Sequence, residues 1–333
     1  MSATVKPPWK AMYVATQSDK DWLWNVQRTL HTRSSESLDY VFEKLWGFIT
    51  DPRNLRIAFA RVSSNRGKRT AGVDGVTVWK ISQQGIEALI AQTREELRSG
   101  KYRPQPVRRV LIPKRGQPGK HRALGIPTVK DRVVQAAVKN IIEPIYEADF
   151  YPTSYGFRPN RSAHQALEHL RRLLRPRKRR GQTEERELKY QWAIEGDRKA
   201  CFDNIDHHAL MQRFRRRISD SKVTRLVVAF LKAGVLSEEQ VTRTGFGTPQ
   251  GGILSPLLAN IALEAIEERY AEYVWPRRPK IRQRKIAPVA TIEKRARHAR
   301  HRDRAAGRTI VIPIRYADDC APRRRGEEAV MAA

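Results

Sequence analysis

The sequence predicts an α+β protein, and three observations carry that reading. Apolar residues recur at helical spacing through the first sixty positions. Two short β segments punctuated by Pro and Gly flank a basic turn near residue 115, and two apolar runs far apart in the chain each lead into aspartate. The 333 residues, 40% hydrophobic and 30% charged, are enough to bury one large core or two modest ones. Their 65 Lys and Arg against 35 Asp and Glu leave a net charge of +30. That balance argues against a neutral metabolic enzyme and for a polyanionic partner, of which nucleic acid is the commonest. An anionic membrane is the rival surface, but apolar stretches such as residues 226–231 are too short to span a bilayer. The opening MSATVKPPWKAMY lacks the apolar core of a signal peptide, and the two cysteines, Cys201 and Cys320, have no metal-ligand spacing. A reducing cytoplasm is the expected compartment.

Taken in order, residues 1–60 read as a helical amino-terminal region. Trp22, Val26 and Leu30, then Leu38, Val41, Phe42, Leu45 and Trp46, then Leu55, Ile57, Ala58 and Phe59 mark its apolar faces, and Trp22, Trp24 and Trp46 are expected in the core. Polar breaks fall at 31–36 and at Thr50-Asp51-Pro52, where Asp before Pro starts a turn or a helix. GKRTAGVDGVTV then brings three glycines and an Asp-Gly turn ahead of an amphipathic run at 86–97. VRRVLIP and HRALGIP predict a hairpin with Lys and Arg at its tip, and helices are expected over 131–145 and 161–174, the second led by the loop SYGFRPN. Residues 171–189, with nine basic and three acidic side chains, read as a charged connection broken by Pro176 and Gly181. Residues 277–308 hold 13 basic and two acidic side chains, a net of +11. They read as a solvated, partly disordered face whose charge condenses onto phosphate with a steep salt dependence.

The chemistry centres on the acids. YQWAI at 190–194 predicts a strand that runs into Asp197, and TIVIPI at 309–314 predicts another that runs into RYADDC, where Asp318 and Asp319 stand side by side. If the two strands are neighbours in one sheet, three carboxylates meet at one end, a donor set suited to two Mg²⁺ ions and to phosphoryl transfer. Each feature alone is weak, because an aspartate after a strand is usually a turn or cap residue. Between the acids lies GFGTPQGGILSPLLANIALEAIEERY, whose glycines permit close backbone approach and whose Gln250 can present an amide. On its own PQGG reads as the turn before a helix, with Ser255 as N-cap, Pro256 first, and Leu257, Ile261, Ala265 and Ile266 buried. His207 and His208 lie near Asp203 and Asp206, but Asp206 reads as a helix cap and not as a metal ligand. Cys201 and Cys320 read as small buried fillers.

The ordered set SYGFRPNRSAHQAL, EGDRKACFDNI, GTPQGGILSPLLANI and RYADD resembles the reverse transcriptases encoded by group II introns, and IPKRGQPGKHRALGIP and AGVDGVTV resemble that family's upstream segments. The resemblance covers residues 40 to 320. It implies a right-hand polymerase, with fingers over 61–189, the first part of the palm over 190–276, a basic connection over 277–308 and a palm strand with the aspartate pair over 309–320. Asp197, Asp318 and Asp319 resemble the catalytic triad that holds two Mg²⁺. Phe202 resembles the bulky gate that rejects a ribose 2′-hydroxyl. Lys114 and Arg122 match the fingers cations on the incoming deoxynucleoside triphosphate, and Gln250 the palm glutamine beside it. A Lys and an Arg placed there neutralise charge as pyrophosphate leaves. The implied partners are an RNA template, namely intron RNA, and a DNA primer, with Arg295, Arg297, Arg300, Arg302 and Arg304 on nucleic acid. Arg158 is expected either on template phosphate or in a salt bridge.

An alternative is a maturase-like intron RNA-binding protein with a residual polymerase site. A retron or diversity-generating enzyme fits the GTPQGGILSPLLANI and SYGFRPNRSAH segments less well. Two departures stand out. Ala123 occupies a position where the family more often has proline, a change confined to loop rigidity. After Asp319 the family continues into an apolar strand, more palm, a thumb and a maturase region, whereas residues 321–333 form an aberrant tail whose Pro322 and charges cannot make a buried returning strand. The expectation is a truncated copy, its thumb missing, that holds RNA but supports little processive cDNA synthesis.

Overall fold

Local chemistry starts most of the helices. Thr16 opens α1 (Gln17–Glu36), its hydroxyl accepting from the Asp19 amide at 3.1 Å. After the short α2 (Trp46–Ile49), Asp51 caps α3 (Pro52–Ser64), and Pro52 supplies a first helical position with no amide to satisfy. Thr77 caps α4 (Val78–Gln84), and α5 (Ile86–Arg98) follows Gly85. The predicted hairpin forms as β1 (Val107–Pro113) and β2 (His121–Ile126), antiparallel from Arg108↔Ile126 to Pro113↔His121. Thr128 caps α6 (Val129–Glu147), and Ser162 and Gln165 form a reciprocal capping box on α7 (Ala163–Leu174). Within the charged stretch that follows, β3 (Arg177–Lys178) and β4 (Arg186–Glu187) pair antiparallel. In place of one strand at 190–194 there are two short ones, β5 (Trp192–Ala193) and β6 (Gly196–Asp197). Asp206 caps α8 (His207–Arg215), accepting from the Ala209 amide at 2.6 Å, and Asp220 caps α9 (Ser221–Lys232). The rest are β7 (Val235–Ser237), β8 (Gln240–Thr242), α10 (Ser255–Arg269), α11 (Ala271–Val274), α12 (Val289–Ala305), β9 (Arg315–Tyr316), β10 (Asp319–Cys320) and β11 (Arg323–Arg324).

The structure is a computed structural model that describes residues 15–113, 116, 118–175, 177–178, 186–187, 190, 192–193, 196–197, 201–237, 240–242, 247, 251–275, 289–320 and 323–324. These fall into two compact units, neither contiguous in sequence: the described parts of Met1–Ser34, Asp39–Ala148 and Phe202–Ala259, and those of Ser35–Leu38, Asp149–Cys201 and Asn260–Ala333. No helix among the described residues is long and apolar enough to cross a membrane.

The first unit is organised by α6, which is buried on nearly every side, as an apolar all-round helix must be. Val129, Val134, Ala137, Val138, Ile141, Ile142 and Ile145 are all fully buried, each worth about 1.5–3 kcal/mol for the larger side chains. Against α6 packs α3, and the contact is keyed by two buried amides: Asn140 Nδ2 donates to Asn54 Oδ1 at 2.8 Å, and Asn54 Nδ2 donates to the Ala137 carbonyl at 3.0 Å. The unit's sheet runs β2-β1-β7-β8, with β7 parallel to β1. Gln135 of α6 accepts from the amides of Ile253 and Leu254, which hold the entry to α10. A Cβ on Gly251, whose φ is +115°, would stand 2.4 Å from the Gly125 carbonyl. The close approach that this glycine permits is therefore to the hairpin backbone.

Several expectations need correcting. Trp24 is 58% exposed, and Trp22 is half-buried under the Arg53 guanidinium, because α1 buries the narrow stripe that holds Leu23 and Leu30. The first turn of α10 is closed by the Leu254 carbonyl, one residue before Ser255, and Ala265 is exposed while Leu258 and Leu263 are buried. Residues 309–314 join no ladder among the described residues; Ile310, Ile312 and Ile314 are buried, but Pro313 has no amide to donate to a sheet. Residues 289–305, expected as a solvated connection, are the 17-residue helix α12. Ile292, Ala296 and Ala299 are buried on one face of it, so a basic segment folds because a thin apolar stripe repeats at helical spacing.

Candidate active site

In the second unit, β6, β10 and β9 form a small antiparallel sheet in that order. The ladder sets Asp319 opposite Asp197 and opposite Tyr316. Residues facing each other across such a pair lie about 5 Å apart at Cα, so segments distant in sequence bring two aspartates into register at one point. Ala317 and Asp318 make the turn between β9 and β10, and Ala317 sits at a φ of +60°, a conformation that costs a residue with a Cβ on the order of 1 kcal/mol or more. Asp318 is half-buried. The positions described for Asp197 and Asp319 are those of the main chain; their side chains, like all of Lys114 and Gln250, lie outside the described residues.

What holds the turn is a buried arginine. Arg315 is fully buried, and its guanidinium donates from Nε to Glu267 Oε1 at 2.7 Å, from Nη1 to Asn260 Oδ1 at 2.8 Å and the Ala317 carbonyl at 3.0 Å, and from Nη2 to Ser154 Oγ at 2.7 Å. Its backbone is clamped too, since the Arg315 amide donates to the Thr153 carbonyl and the Tyr155 amide donates to the Arg315 carbonyl. Asn260 Nδ2 in turn donates to the Gly156 carbonyl at 2.9 Å. A Cβ on Gly156 would stand 2.0 Å from the Ala317 nitrogen, which is why the YGF loop carries a glycine there. Gly156→Ala is therefore expected to push the turn away, at a cost of about 1–3 kcal/mol for overpacking, read as a lower melting temperature.

The sequence reading missed Arg315, Glu267, Asn260 and Ser154. Arg315 looks like a charge ending an apolar run, and Glu267 sits in an EER segment that reads as solvated. The signal that could have found them is spacing, because Asn260, Leu263 and Glu267 share one buried stripe of α10, and a carboxylate on such a stripe needs a partner.

The other candidates lie on separate elements of the two units. Arg122 is exposed on β2 opposite Ile112. Phe202 belongs to the first unit and lies in a 3₁₀ turn, 8% exposed, next to the buried Cys201. Arg158 is buried; its Nη1 donates to the carbonyls of Tyr151 and Ser154, and it stacks over Phe150. Through these two carbonyls it braces the loop.

Helix α12 splits its arginines by role. Arg300 donates to the Tyr273 carbonyl, and burial lowers its pKa; Arg302 pairs with Asp303 and Glu272; Arg304 is half-buried. Arg297 is exposed and Arg295 half-exposed, and both line a groove of about 1140 Å³ with Lys294, His298 and His301. The helix is anchored by Asp303, which accepts from Tyr273 Oη at 2.9 Å and from Arg302 at 2.8 Å. The Arg302 bond and then the Tyr273 hydroxyl hold the Asp303 carboxyl down to about 2, while burial and then Asp303 push the Tyr273 hydroxyl up to about 12. A carboxyl depressed on folding stabilises the fold above its unfolded value of 3.8, and the contribution is lost as pH falls through about 2. Asp303→Asn is expected to flatten the acid limb of the stability curve across that window, measured by acid titration of the circular dichroism signal beside the parent chain.

The reverse transcriptase (RNA-dependent DNA polymerase) family matches residues 112–329. The chain is similar to the group II intron-encoded protein LtrA of Lactococcus lactis subsp. cremoris, 41% identical over 73% of this chain and 38% of that one. It is also similar to the protein YkfC of Escherichia coli K12, 40% identical over 74% of this chain and 62% of the relative, so it spans less than two thirds of either. A nuclear intron maturase 2 of Arabidopsis thaliana is 28% identical over 41% of the chain. Because the family covers well over half of the residues and a group II intron-encoded protein aligns across most of the chain, the protein belongs to the reverse transcriptase family, among the group II intron reverse transcriptases and maturases.

Proposed function

We propose that the chain is the catalytic portion of an RNA-directed DNA polymerase of group II intron type, which transfers a deoxynucleotide to a primer 3′-hydroxyl on an RNA template. The observation that carries this reading is the ladder that sets Asp197 against Asp319, with Asp318 in the adjoining turn. The donor set is three carboxylates, hard oxygen ligands of the kind that Mg²⁺ takes. Two such ions, when bound, supply activation of the primer hydroxyl and stabilisation of the leaving pyrophosphate. Asp197, Asp318 and Asp319 would hold them. The chain's other residues bind and select: Lys114 and Arg122 neutralise the triphosphate, Gln250 orients the nucleotide, and Phe202 excludes a 2′-hydroxyl. Arg295 and Arg297, with Lys294 beside them, bind the RNA backbone from the α12 groove. Arg300 and Arg302 set the helix in place, through the Tyr273 carbonyl and through Asp303 and Glu272, and Arg304 adds its charge to the same helix.

A second reading, an intron RNA-binding maturase without polymerase activity, draws on the same basic groove. The two part in one experiment on the purified chain: primer extension on an RNA template with deoxynucleotides and Mg²⁺, run beside RNA retention across a salt series. The polymerase reading expects nucleotide addition that ribonucleotides do not support; retention with no addition at any Mg²⁺ concentration would leave the maturase reading. In both, replacing Lys294, Arg295 and Arg297 by Gln is expected to flatten the plot of log affinity against log salt, by roughly one unit of slope for each phosphate no longer neutralised.

A further inference from the structure

We infer that Arg315 is a positioning residue for the metal-binding aspartates, acting through the Ala317–Asp318 turn; the inference rests on the polymerase reading of that turn. The guanidinium reaches three separate pieces of the second unit at once. Through Nη1 it holds the Ala317 carbonyl, the peptide oxygen immediately before Asp318. Through Nε and the same Nη1 it is fastened to Glu267 and Asn260, seven residues apart on α10, and through Nη2 to Ser154 in the loop ahead of Gly156.

The arrangement is costly for a group that serves packing alone. Arg315 and Glu267 have side chains 1% and 0% exposed, so two charges are removed from water. Glu267 Oε2 is buried with no hydrogen-bond partner among the described residues, which leaves Arg315 to balance the carboxylate. A buried ion pair of this kind gives little net stability over apolar residues of equal volume, whereas its several directional bonds fix one geometry. The geometry in question is unfavourable without support. Ala317 stands at positive φ and Gly156 is pressed against its backbone, so the turn must be held from within, and the planar five-donor fork of arginine meets four acceptors that a lysine ammonium cannot reach together. Displacing outer groups that orient metal ligands costs metal affinity even where every ligand remains.

The test uses the full chain and Mn²⁺ as the probe, with binding followed by electron paramagnetic resonance well below the melting temperature. The parent chain is expected to bind Mn²⁺, and Asp318→Ala to lose it. Arg315→Lys keeps a charge for Glu267 but loses the fork, and is expected to weaken Mn²⁺ binding by about 10–100-fold with RNA retention unchanged. Ser154→Ala removes one bond only and keeps the ion pair, so it remains testable should Arg315→Lys fold poorly; a smaller loss in the same direction is expected. Ile292→Ala, a packing change on α12 away from the segments that Arg315 joins, should lower the melting temperature and leave Mn²⁺ affinity alone. Mn²⁺ affinity unchanged in both Arg315→Lys and Ser154→Ala, or lowered equally by Ile292→Ala, would overturn the inference and leave the polymerase reading standing. Mn²⁺ binding absent from the parent chain, or indifferent to Asp318→Ala, would overturn both.

Discussion

Asp318→Ala is expected to reduce nucleotide addition on an RNA template at least about 10³-fold, some 4 kcal/mol of barrier, with RNA retention unchanged. The size follows from where the residue sits. The β9–β10 turn presents it beside the Asp197↔Asp319 pair, so losing one carboxylate removes a share of the charge that a pair of divalent ions needs. RNA retention is expected to survive because the exposed cations of the α12 groove lie outside the turn. Single-turnover addition of one nucleotide is the measurement, since it reads chemistry apart from how long the chain stays on its template. Equal rates in the two proteins would show that the turn carries no chemistry.

The largest expected loss of stability is from Glu267→Leu. The substitution replaces a carboxylate with no exposed surface by a shorter apolar side chain and strands the Arg315 guanidinium in the interior. Breaking a buried pair from one side typically costs about 3–5 kcal/mol, because the surviving charge keeps its desolvation penalty and loses its balance. That is a large share of the margin of an ordinary domain. The double substitution Glu267→Leu with Arg315→Met should recover much of the stability, since it removes both charges together. It should not recover Mn²⁺ binding, and that separation between fold and site is the informative outcome. Thermal or urea unfolding of the two variants beside the parent chain measures it.

Much of the fold was legible because its signals are local. A Thr, Ser or Asp one residue ahead of an apolar period opens α3, α6, α7 and α8, and the hairpin of β1 and β2 is written in VRRVLIP, a basic turn and HRALGIP. The family was legible for another reason: the aspartates stand in a fixed order with glycine-rich and apolar segments, an order specific to one family. Strand bounds were not legible at 190–197 or 309–316. Short edge ladders depend on which backbone lies alongside, and Pro313 interrupts a run that hydrophobicity alone reads as a strand. Nor was α12, because 13 basic residues over 277–308 conceal the repeat of Ile292, Ala296 and Ala299.

The sequence by itself determined the family and its residue types: a strongly cationic chain, three aspartates, and a motif order that belongs to the reverse transcriptases. Those properties reside in residue types and their order, which need no coordinates. Only the tertiary structure decided which charges face water. Arg158, Arg300 and Arg315 look alike in sequence to Arg122 and Arg297, yet the first three are spent on carbonyls or a buried carboxylate and the last two are exposed. The physical reason is that a guanidinium becomes structural when acceptors from distant segments surround it, and such acceptors, as Ser154, Asn260 and Glu267 are for Arg315, come together only when the chain has folded.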